Sequence, residues 1–325
     1  MKKFLLGILF FTSLHLVFGE EIVIYGPNSS RWIERHYGPI FKEKTGVDIR
    51  YISVDGILSR LKLEQSNPRA DIIVGLTSLQ GEIAKKEGNI VRYEPQNKDN
   101  IKDDFYVIDK DYYVTSFDYG YLAINYNKEK IEVPPENIEE LNNISQGLIT
   151  INPMTSSTGE EALLWSMAIY GDKWEDFWEK IKPIIYTSEP GWSEAFSKFS
   201  TGEAPMMIGY ATSNIFFGQD EEQQKFDSFY LKEGAYMYLE GAALVNKTKI
   251  KEGAKLFMEE ILSDDFQKLV MSRNYMFPVT NIDLDEDFKN VPLPENPVKI
   301  NEEQTMDLME NLDTYKSKLV DILRR

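Results

Sequence analysis

Cysteine is absent from the 325-residue sequence, and this absence removes three kinds of chemistry at once. Disulfide bonds, thiolate metal sites and thiol nucleophiles all require a cysteine. Histidine is nearly absent too, since His15 and His36 are the two in the chain. A Ser-His-Asp catalytic arrangement or a histidine-based metal site is therefore poorly supplied.

Basic residues are few relative to acidic ones, with 36 Lys and Arg against 53 Asp and Glu, so the formal net charge is −17. Proteins that bind nucleic acid neutralise phosphates with Lys and Arg, so no nucleic-acid partner is expected. Solubility is the simplest explanation of the acidic balance, which is also compatible with a cationic small ligand.

Long apolar runs are confined to the N-terminus, where residues 1–19 have the features of an export signal. Lys2 and Lys3 precede an apolar core too short for a membrane span, and Gly19 ends a small-residue cleavage site. We predict cleavage after Gly19, a soluble product outside the cytoplasm, and no lipid anchor because no cysteine is near. Cleavage changes the formal charge from −17 to −19 and leaves 306 residues, a length that suits a two-lobed protein.

Strand and helix patterns alternate in the first third of the chain. Strands are predicted at 21–25, 47–54 and 71–76, and the helices between them at 32–44 and 57–65. This alternation predicts an α/β fold with parallel strands and right-handed crossovers.

Two later strand patterns, at residues 115–126 and 235–245, are too long for one sheet edge. An α/β segment lies between them, with a strand at 148–152 and a helix at 160–170. We therefore expect the chain to cross between two lobes at each long strand. Amphipathic helices are predicted at 251–271 and 302–323.

The stretch 191–213 reads GWSEAFSKFSTGEAPMMIGYATS and predicts a turn, an amphipathic helix, a second turn and a buried strand. The strand ends at Tyr210 and is followed by the small polar residues Thr212 and Ser213. In open α/β sheets, ligands bind at the carboxyl ends of strands. Trp192 and Tyr210 are thus predicted to bring two aromatic faces to one cleft.

Several segments carry a resemblance to a known family, in the same order over almost the whole chain after residue 19. They are VDGILSRLKLE (54–64), ADIIVGL (70–76), FDYGYLAINY (117–126), PMTSSTG (153–159), GWSEAFSKFSTGE (191–203), YATS (210–213) and NYMFPVTNI (274–282). The sequence resembles the extracellular solute-binding proteins of ABC importers, and among these the thiamine-binding group. DYGY and GWSEA are specific to that group, whereas the helix at 251–271 is generic.

The resemblance implies a type II two-lobed periplasmic-binding-protein fold, in which each lobe is a mostly parallel sheet flanked by helices. Lobe 1 would comprise residues 20–117 and 243–325, lobe 2 would comprise 118–242, and the two crossover strands would form the hinge. It also implies a monomeric periplasmic receptor without cofactor or metal. Thiamine or a thiamine phosphate would be its ligand, and a membrane permease with an ATPase its partners.

The resemblance further implies which residues contact the ligand. They are Asp55, Gly56, Ser156, Ser157, Trp192, Tyr210, Ala211, Thr212, Ser213 and Tyr275. Tyr275 stands where the family usually has Trp. The sequence departs from the family pattern at Pro27, which replaces an aromatic, at Phe216, which replaces Tyr, and at Met154, which replaces Arg.

The aromatic residues suit a flat cationic ligand, since a cation over an aromatic face is stabilised by roughly 0.5–2 kcal/mol. The alternative is that Trp192, Tyr210 and Tyr275 are core aromatics, as most such residues are. Trp192 lies in a turn, which favours a binding role. Asp55 is either the N-cap of a helix or an acceptor for the ligand's amine, and the two roles are compatible. Asp118, at the first crossover, is a lower-ranked candidate for lining the hinge.

Residues 156–158 precede a predicted helix and suit a capping box, either Ser157 with Glu160 or Thr158 with Glu161. A helix N-terminus also attracts anions. Here two carboxylates occupy the first turn and the family's Arg is missing. We therefore expect thiamine or its monophosphate to be preferred to the diphosphate.

Two other functions are weighed against binding of thiamine. A ferric-ion-binding protein of the same fold needs adjacent tyrosines, and Tyr112-Tyr113 is such a pair, but in a charged strand-like stretch outside the cleft segments. An enzyme of this fold relies on a catalytic cysteine, which is absent, and nothing indicates that Glu194 and Asp55 meet as an acid/base pair. Binding without catalysis is the prediction.

Overall fold

The computed structural model describes residues 19–54, 56–145, 147–218 and 221–324. The predicted export signal lies outside these ranges except for Gly19, and so does Asp55. Within the described ranges, no helix combines the length and the apolar character needed to cross a membrane.

The strands, in chain order, are β1 Glu21–Gly26, β2 Asp48–Ser53, β3 Ile72–Leu76, β4 Ile90–Val91, β5 Thr115–Asn127, β6 Leu148–Ile151, β7 Ile185–Glu189, β8 Met206–Tyr210, β9 Phe226–Phe229, β10 Ala235–Val245, β11 Phe277–Pro278 and β12 Pro297–Val298. The α-helices are α1 Gly38–Thr45, α2 Ile57–Glu64, α3 Ser78–Lys86, α4 Ile138–Leu141, α5 Ser157–Tyr170, α6 Trp174–Ile181, α7 Trp192–Ser200, α8 Ser213–Gly218, α9 Glu252–Glu260, α10 Asp264–Leu269, α11 Glu286–Lys289 and α12 Glu302–Arg324. The predicted elements of the first third and the two long strands are confirmed within two residues, with one exception. The helix predicted at 32–44 consists of the π-helical turn Ile33–Tyr37 and α1, and a 3-10 turn, Asn28–Arg31, precedes it.

Two parallel units form the ends of the sheet. In the first, β1 lies between β2 and β3 and pairs in parallel with both. In the second, β6 lies between β7 and β8, again in parallel. Most apolar residues of the inner strands β1, β3, β6 and β8 are buried, as expected for parallel strands covered on both faces, whereas Tyr186 on the edge strand β7 is exposed.

The two long strands β5 and β10 join the parallel units. They pair antiparallel with each other, β10 pairs antiparallel with β3, and β5 pairs antiparallel with β8. The order through the sheet is therefore β2-β1-β3-β10-β5-β8-β6-β7. Every residue of β5 and β10 is buried. The α/β prediction and the two predicted crossovers are confirmed.

The segment 251–271, predicted as one amphipathic helix, is broken. Helix α9 ends at Glu260, and α10 begins after Ser263, whose hydroxyl accepts a hydrogen bond from the backbone N–H of Phe266. A π-helical turn, Val270–Asn274, completes the segment. Ser followed by two Asp residues is an N-cap signal, and it interrupts the apolar periodicity locally.

Helix α12 packs against α5 and α6 and also contacts α3. Its buried residues Leu308, Leu319 and Ile322 share a core with Trp165 and Trp174. The lobe boundaries remain a prediction, and this packing argues for placing α12 with residues 118–242 rather than with the first lobe. The reason is that most partners of the apolar face of α12 lie on α5 and α6, while Leu79 of α3 belongs to the same core.

Candidate functional site

The carboxyl end of β8 is the centre of the predicted site. Met206, Met207 and Ile208 are fully buried, and Tyr210 is half-buried. The backbone N–H of Ala211 then bonds to the carbonyl of Tyr121 on β5, 3.1 Å away. Thr212 and Ser213 are buried, at 2% and 7% exposure, so their contact with a ligand stays a prediction.

Trp192 begins helix α7 beside this strand end. Its indole stacks on Phe196, one helical turn on, with ring centres 5.1 Å apart and planes 8° apart. A Cβ placed on Gly209 would lie 3.6 Å from Trp192 Nε1, so the indole lies close to the last residues of β8. No acceptor among the described residues bonds to this buried Nε1. The half-buried ring therefore carries an unused donor.

Phe216, on α8, connects Trp192 to Tyr275. Its ring centre lies 6.4 Å from that of Trp192, 5.7 Å from Phe196 and 6.3 Å from Tyr275, edge-on in each case. Tyr275 ends the π-helical turn with φ +55°, a conformation that non-glycine residues rarely adopt. We call these four residues, Trp192, Phe196, Phe216 and Tyr275, the aromatic wall.

Tyr210 lies on the face of β8 opposite to the one beside Trp192. Its hydroxyl is 3.2 Å from Thr158 Oγ1, and its ring centre is 5.8 Å from that of Tyr238. Successive strand residues point to opposite faces, so the Gly209 side meets Trp192 and the Tyr210 side meets α5. The two aromatic residues thus flank one strand end without touching each other.

The N-terminus of α5 differs from the predicted capping box. The N-cap is Ser156, its hydroxyl makes no capping bond, and Ser157 is exposed in the first turn. Both predicted boxes are therefore wrong, because the helix begins one or two residues earlier than they require. Glu160 pairs instead with Lys316 of α12 at 2.5 Å. Glu161 is buried, and burial raises the pKa of its carboxyl well above the usual range.

Gly56 and Pro27 lie at the carboxyl ends of β2 and β1. Gly56 occupies the N-cap position of α2 that was predicted for Asp55, is exposed, and has φ +64°. The carbonyl of Pro27 accepts a hydrogen bond from the Tyr51 hydroxyl at 2.6 Å. A Cβ at Gly75 would come within 2.7 Å of the Pro27 ring, so glycine permits this close approach.

Two buried acids on the crossover strands were largely missed by sequence reasoning. Asp118 on β5 is 0% exposed and Glu240 on β10 is 7% exposed, and they are cross-strand neighbours. Asn274 Nδ2 donates to Asp118 Oδ2 at 2.6 Å, and the Tyr238 hydroxyl donates to Glu240. We call Asp118 and Glu240 the acid pair. A lone acid within an apolar strand, as in YMYLEGAALV, is the signal that could have identified Glu240.

The tyrosines considered for iron lie elsewhere. Residues 109–113 form a turn, not a strand, in which Asp109 accepts a hydrogen bond from the backbone N–H of Tyr113 at 2.7 Å. The ammonium of Lys98 lies 5.2 Å from the ring centre of Tyr112, and that of Lys85 lies 5.0 Å from Tyr113. Such cations oppose Fe³⁺ binding. In the described part of the chain, no group of three or more His, Cys, Asp or Glu is placed to hold a metal.

Residues 39–296 match the family described as bacterial extracellular solute-binding protein. The chain belongs to this family. Its relatives include the thiamine-binding periplasmic proteins of Brucella abortus and Escherichia coli, at 32% identity over 272 residues and 31% over 274. The matches cover 80% and 79% of this chain, and 79% and 80% of the relatives. These relatives are binding proteins, so the prediction that this solute-binding protein is not an enzyme is confirmed.

Solved structures agree with the two-lobed fold. A periplasmic thiamin binding protein superposes with a TM-score of 0.78 at 26% identity, covering 94% of this chain and 96% of that one. The apo ferric ion-binding protein A of Pasteurella haemolytica gives the same TM-score at 16% identity, covering 94% and 98%. At 16% identity, the second match shows only that the two proteins share a fold. The predicted periplasmic-binding-protein fold is confirmed for this solute-binding protein.

Proposed function

We propose that this solute-binding protein captures thiamine, or a thiamine phosphate, between its two lobes and delivers it to the membrane permease and ATPase of an ABC importer. The observation that carries the proposal is the match to thiamine-binding relatives over about four fifths of both chains. The periplasm is the corresponding location, after cleavage of residues 1–19, and the protein acts as a monomer.

The geometry supports a flat cationic ligand. The aromatic wall offers ring faces near the end of β8, and the unpartnered Nε1 of Trp192 offers a donor. Aromatic faces attract a thiazolium cation. Asp55, Gly56, Ser156, Ser157, Tyr210, Ala211, Thr212, Ser213 and Tyr275 complete the proposed contact set. The lobes close about β5 and β10.

The proposed preference for thiamine or its monophosphate depends on the charges at the N-terminus of α5. Met154, in place of a family Arg, is half exposed and supplies no charge at the N-terminus of α5. Glu160, however, is neutralised by Lys316, so it opposes a phosphate less than the sequence suggested. The missing Arg is what still disfavours the diphosphate.

Two measurements test the proposed function. Mass spectrometry of the protein purified under native conditions should detect bound thiamine or its monophosphate, and calorimetric titration should show that both bind more tightly than the diphosphate. Absence of thiamine binding would refute the proposal. A visible charge-transfer band on addition of ferric citrate would favour iron instead, and tightest binding of the diphosphate would refute the preference alone.

A further inference from the structure

We propose that the acid pair, Asp118 and Glu240, shares a proton in the unliganded protein and gives it up to solvent when a cationic ligand binds. This inference rests on the proposed function, because it concerns how the same cleft accepts a positive charge. It adds two residues outside the predicted contact set and a measurable consequence, the release of a proton on binding.

The position of the acid pair is the first argument. Asn274 bonds to Asp118 and is followed directly by Tyr275, at the end of the aromatic wall. On the other side, Tyr238 donates to Glu240 and packs against Tyr210. The pair therefore lies between two residues of the proposed contact set, on the two strands that join the lobes.

The carboxyl ends of β1 and β3 meet the pair from the first parallel unit. A Cβ at Gly75 would lie 3.6 Å from Glu240 Oε1 and 2.7 Å from the Pro27 ring. From the second parallel unit, Tyr210 at the end of β8 packs against Tyr238, which donates to Glu240. Ligands bind at such carboxyl ends, so the acid pair lies at the bottom of the cleft between the two units.

The lack of a cation beside the pair is the second argument. No Lys or Arg of the described residues forms an ion pair with Asp118 or Glu240, and no donor bonds to the buried Oδ1 of Asp118. Two buried carboxylates side by side cannot both ionise without a counter-charge. A proton held between them satisfies both groups, and a cation entering the cleft can replace it.

The surrounding groups favour the protonated pair when the cleft is empty. Burial is the largest cause that raises the pKa of Asp118 and of Glu240, and the Glu240 charge raises that of Asp118 further. The other titratable groups that face the pair are Tyr51 of β2, Tyr210 of β8, Tyr238 of β10 and Glu161 of α5. The phenols are neutral at physiological pH, because burial raises the pKa of each, and none supplies a positive charge.

The direction of the pH effect follows from linkage. A bound cation stabilises the ionised pair, so it lowers the apparent pKa of the pair and releases a proton. Thiamine affinity should therefore increase as the pH rises through the range in which the free pair titrates. The limit is about tenfold per pH unit for one proton released.

Calorimetric titration of the full protein with thiamine, at one pH in two buffers of different ionisation enthalpy, counts the released protons. We expect wild type to release more protons than Glu240→Gln, in which Asp118 loses the neighbouring charge that raises its pKa, and more still than the double variant Asp118→Asn/Glu240→Gln, in which the pair has no proton to give. Both variants should also bind thiamine at least tenfold more weakly at about pH 8, where wild type gains most from ionising the pair. Protons exchanged by thiamine itself are released in the variants too. The difference in proton count between wild type and the variants is therefore the contribution of the acid pair.

Glu203→Gln is the matched control, because it removes one negative charge from an exposed turn away from the site. It should keep the wild-type proton count and affinity. Equal proton counts in wild type and both pair variants, with thiamine still bound, would overturn the inference and leave the proposed function intact. Failure of wild type to bind thiamine would overturn both. If a variant fails to fold, the wild-type pH dependence decides, and an affinity independent of pH would overturn the inference.

Discussion

The aromatic wall and the acid pair are built in opposite ways. Trp192 and Phe196 stack one helical turn apart on α7, and Phe216 follows shortly on α8, so most of the wall comes from one stretch of chain. Asp118 and Glu240 are far apart in sequence and meet because β5 and β10 pair antiparallel. The wall is partly exposed and built mostly by local spacing, whereas the pair is buried and built by strand register.

The difference in burial also separates two lysines of α12. Lys316 reaches Glu160 in a mostly buried ion pair, with side-chain exposures of 14% and 8%, whereas Lys318 reaches Glu175 with exposures of 50% and 46%. Buried pairs depend on both partners, because removing one leaves a charge without solvent. Exposed pairs contribute little. Buried ion pairs are thus where single substitutions should cost most stability.

The largest expected effect is on stability. Lys316→Met should lower the free energy of unfolding by about 3 kcal/mol, since it leaves the buried Glu160 carboxylate unpaired. Chemical denaturation measures this, and Lys318→Met on the same helix is the control, expected to change stability by less than about 0.5 kcal/mol. The double variant with Glu160→Gln should recover much of the loss. Equal effects of the two lysine variants would contradict the contrast.

The next effect is the pH dependence of stability. A carboxyl whose pKa is raised by folding binds more protons in the folded than in the unfolded state. Its stabilisation is full below the unfolded pKa of about 4 and is lost as the pH rises through the raised folded value. We therefore expect the melting temperature of the unliganded protein to decrease from about pH 5 to about pH 8. The free energy of unfolding should fall by at most about 1.4 kcal/mol per pH unit for each proton. Burial raises the pKa of Asp118, Glu240 and Glu161 in this way.

Glu240→Gln tests the cause of that decrease. The variant should lose less stability than wild type over the same pH range, because its amide does not titrate. Glu203→Gln, in an exposed turn, should follow wild type. Parallel melting curves for wild type and Glu240→Gln would show that the acid pair does not carry the effect.

A smaller effect is expected for the wall. Trp192→Ala should weaken thiamine binding by at least ~1 kcal/mol, about fivefold or more, because the ligand loses an aromatic face. Calorimetric titration measures it, and Tyr186→Ala, an exposed aromatic on β7, is the control that should leave the affinity unchanged. An unchanged affinity for Trp192→Ala would remove the indole from the site.

The smallest effect on thiamine affinity is expected at Phe196, the aromatic residue on which Trp192 stacks. Phe196→Leu keeps apolar contact but removes the ring that stacks on Trp192. Since a stacked pair contributes about 0.5–1.5 kcal/mol beyond its buried area, thiamine affinity should fall by only a few-fold. A loss as large as that of Trp192→Ala, at unchanged melting temperature, would mean that Phe196 contacts the ligand itself.

The elements of the fold were largely predictable because their signals are local. Apolar runs such as Ile72–Leu76 and the long patterns that became β5 and β10 depend on neighbouring residues. Where the prediction was wrong, a different local signal prevailed, as with the N-cap at Ser263 that breaks the segment 251–271. The turn at 109–113 was read as a strand because Asp109 organises it through hydrogen bonds to backbone N–H groups that composition does not reveal.

The site was predictable in part. Trp192, predicted in the turn before a helix, is instead the first residue of α7. The placement of Tyr210 at the end of a buried strand followed from the stretch 191–213. The sequence did not predict that Trp192 and Tyr210 lie on opposite faces of β8, or that Phe216 connects Trp192 to Tyr275. These relations depend on the packing of α7, α8 and the π-helical turn.

The sequence by itself determined the α/β class, the crossover strands and the aromatic residues near one strand end, because hydrophobic periodicity and turn residues act over a few positions. Only the tertiary structure decided that Asp118 meets Glu240 and that Glu160 meets Lys316. Such pairings follow from strand register and helix packing between distant segments. In the sheet, a register shift of one residue would point Asp118 or Glu240 to the other face.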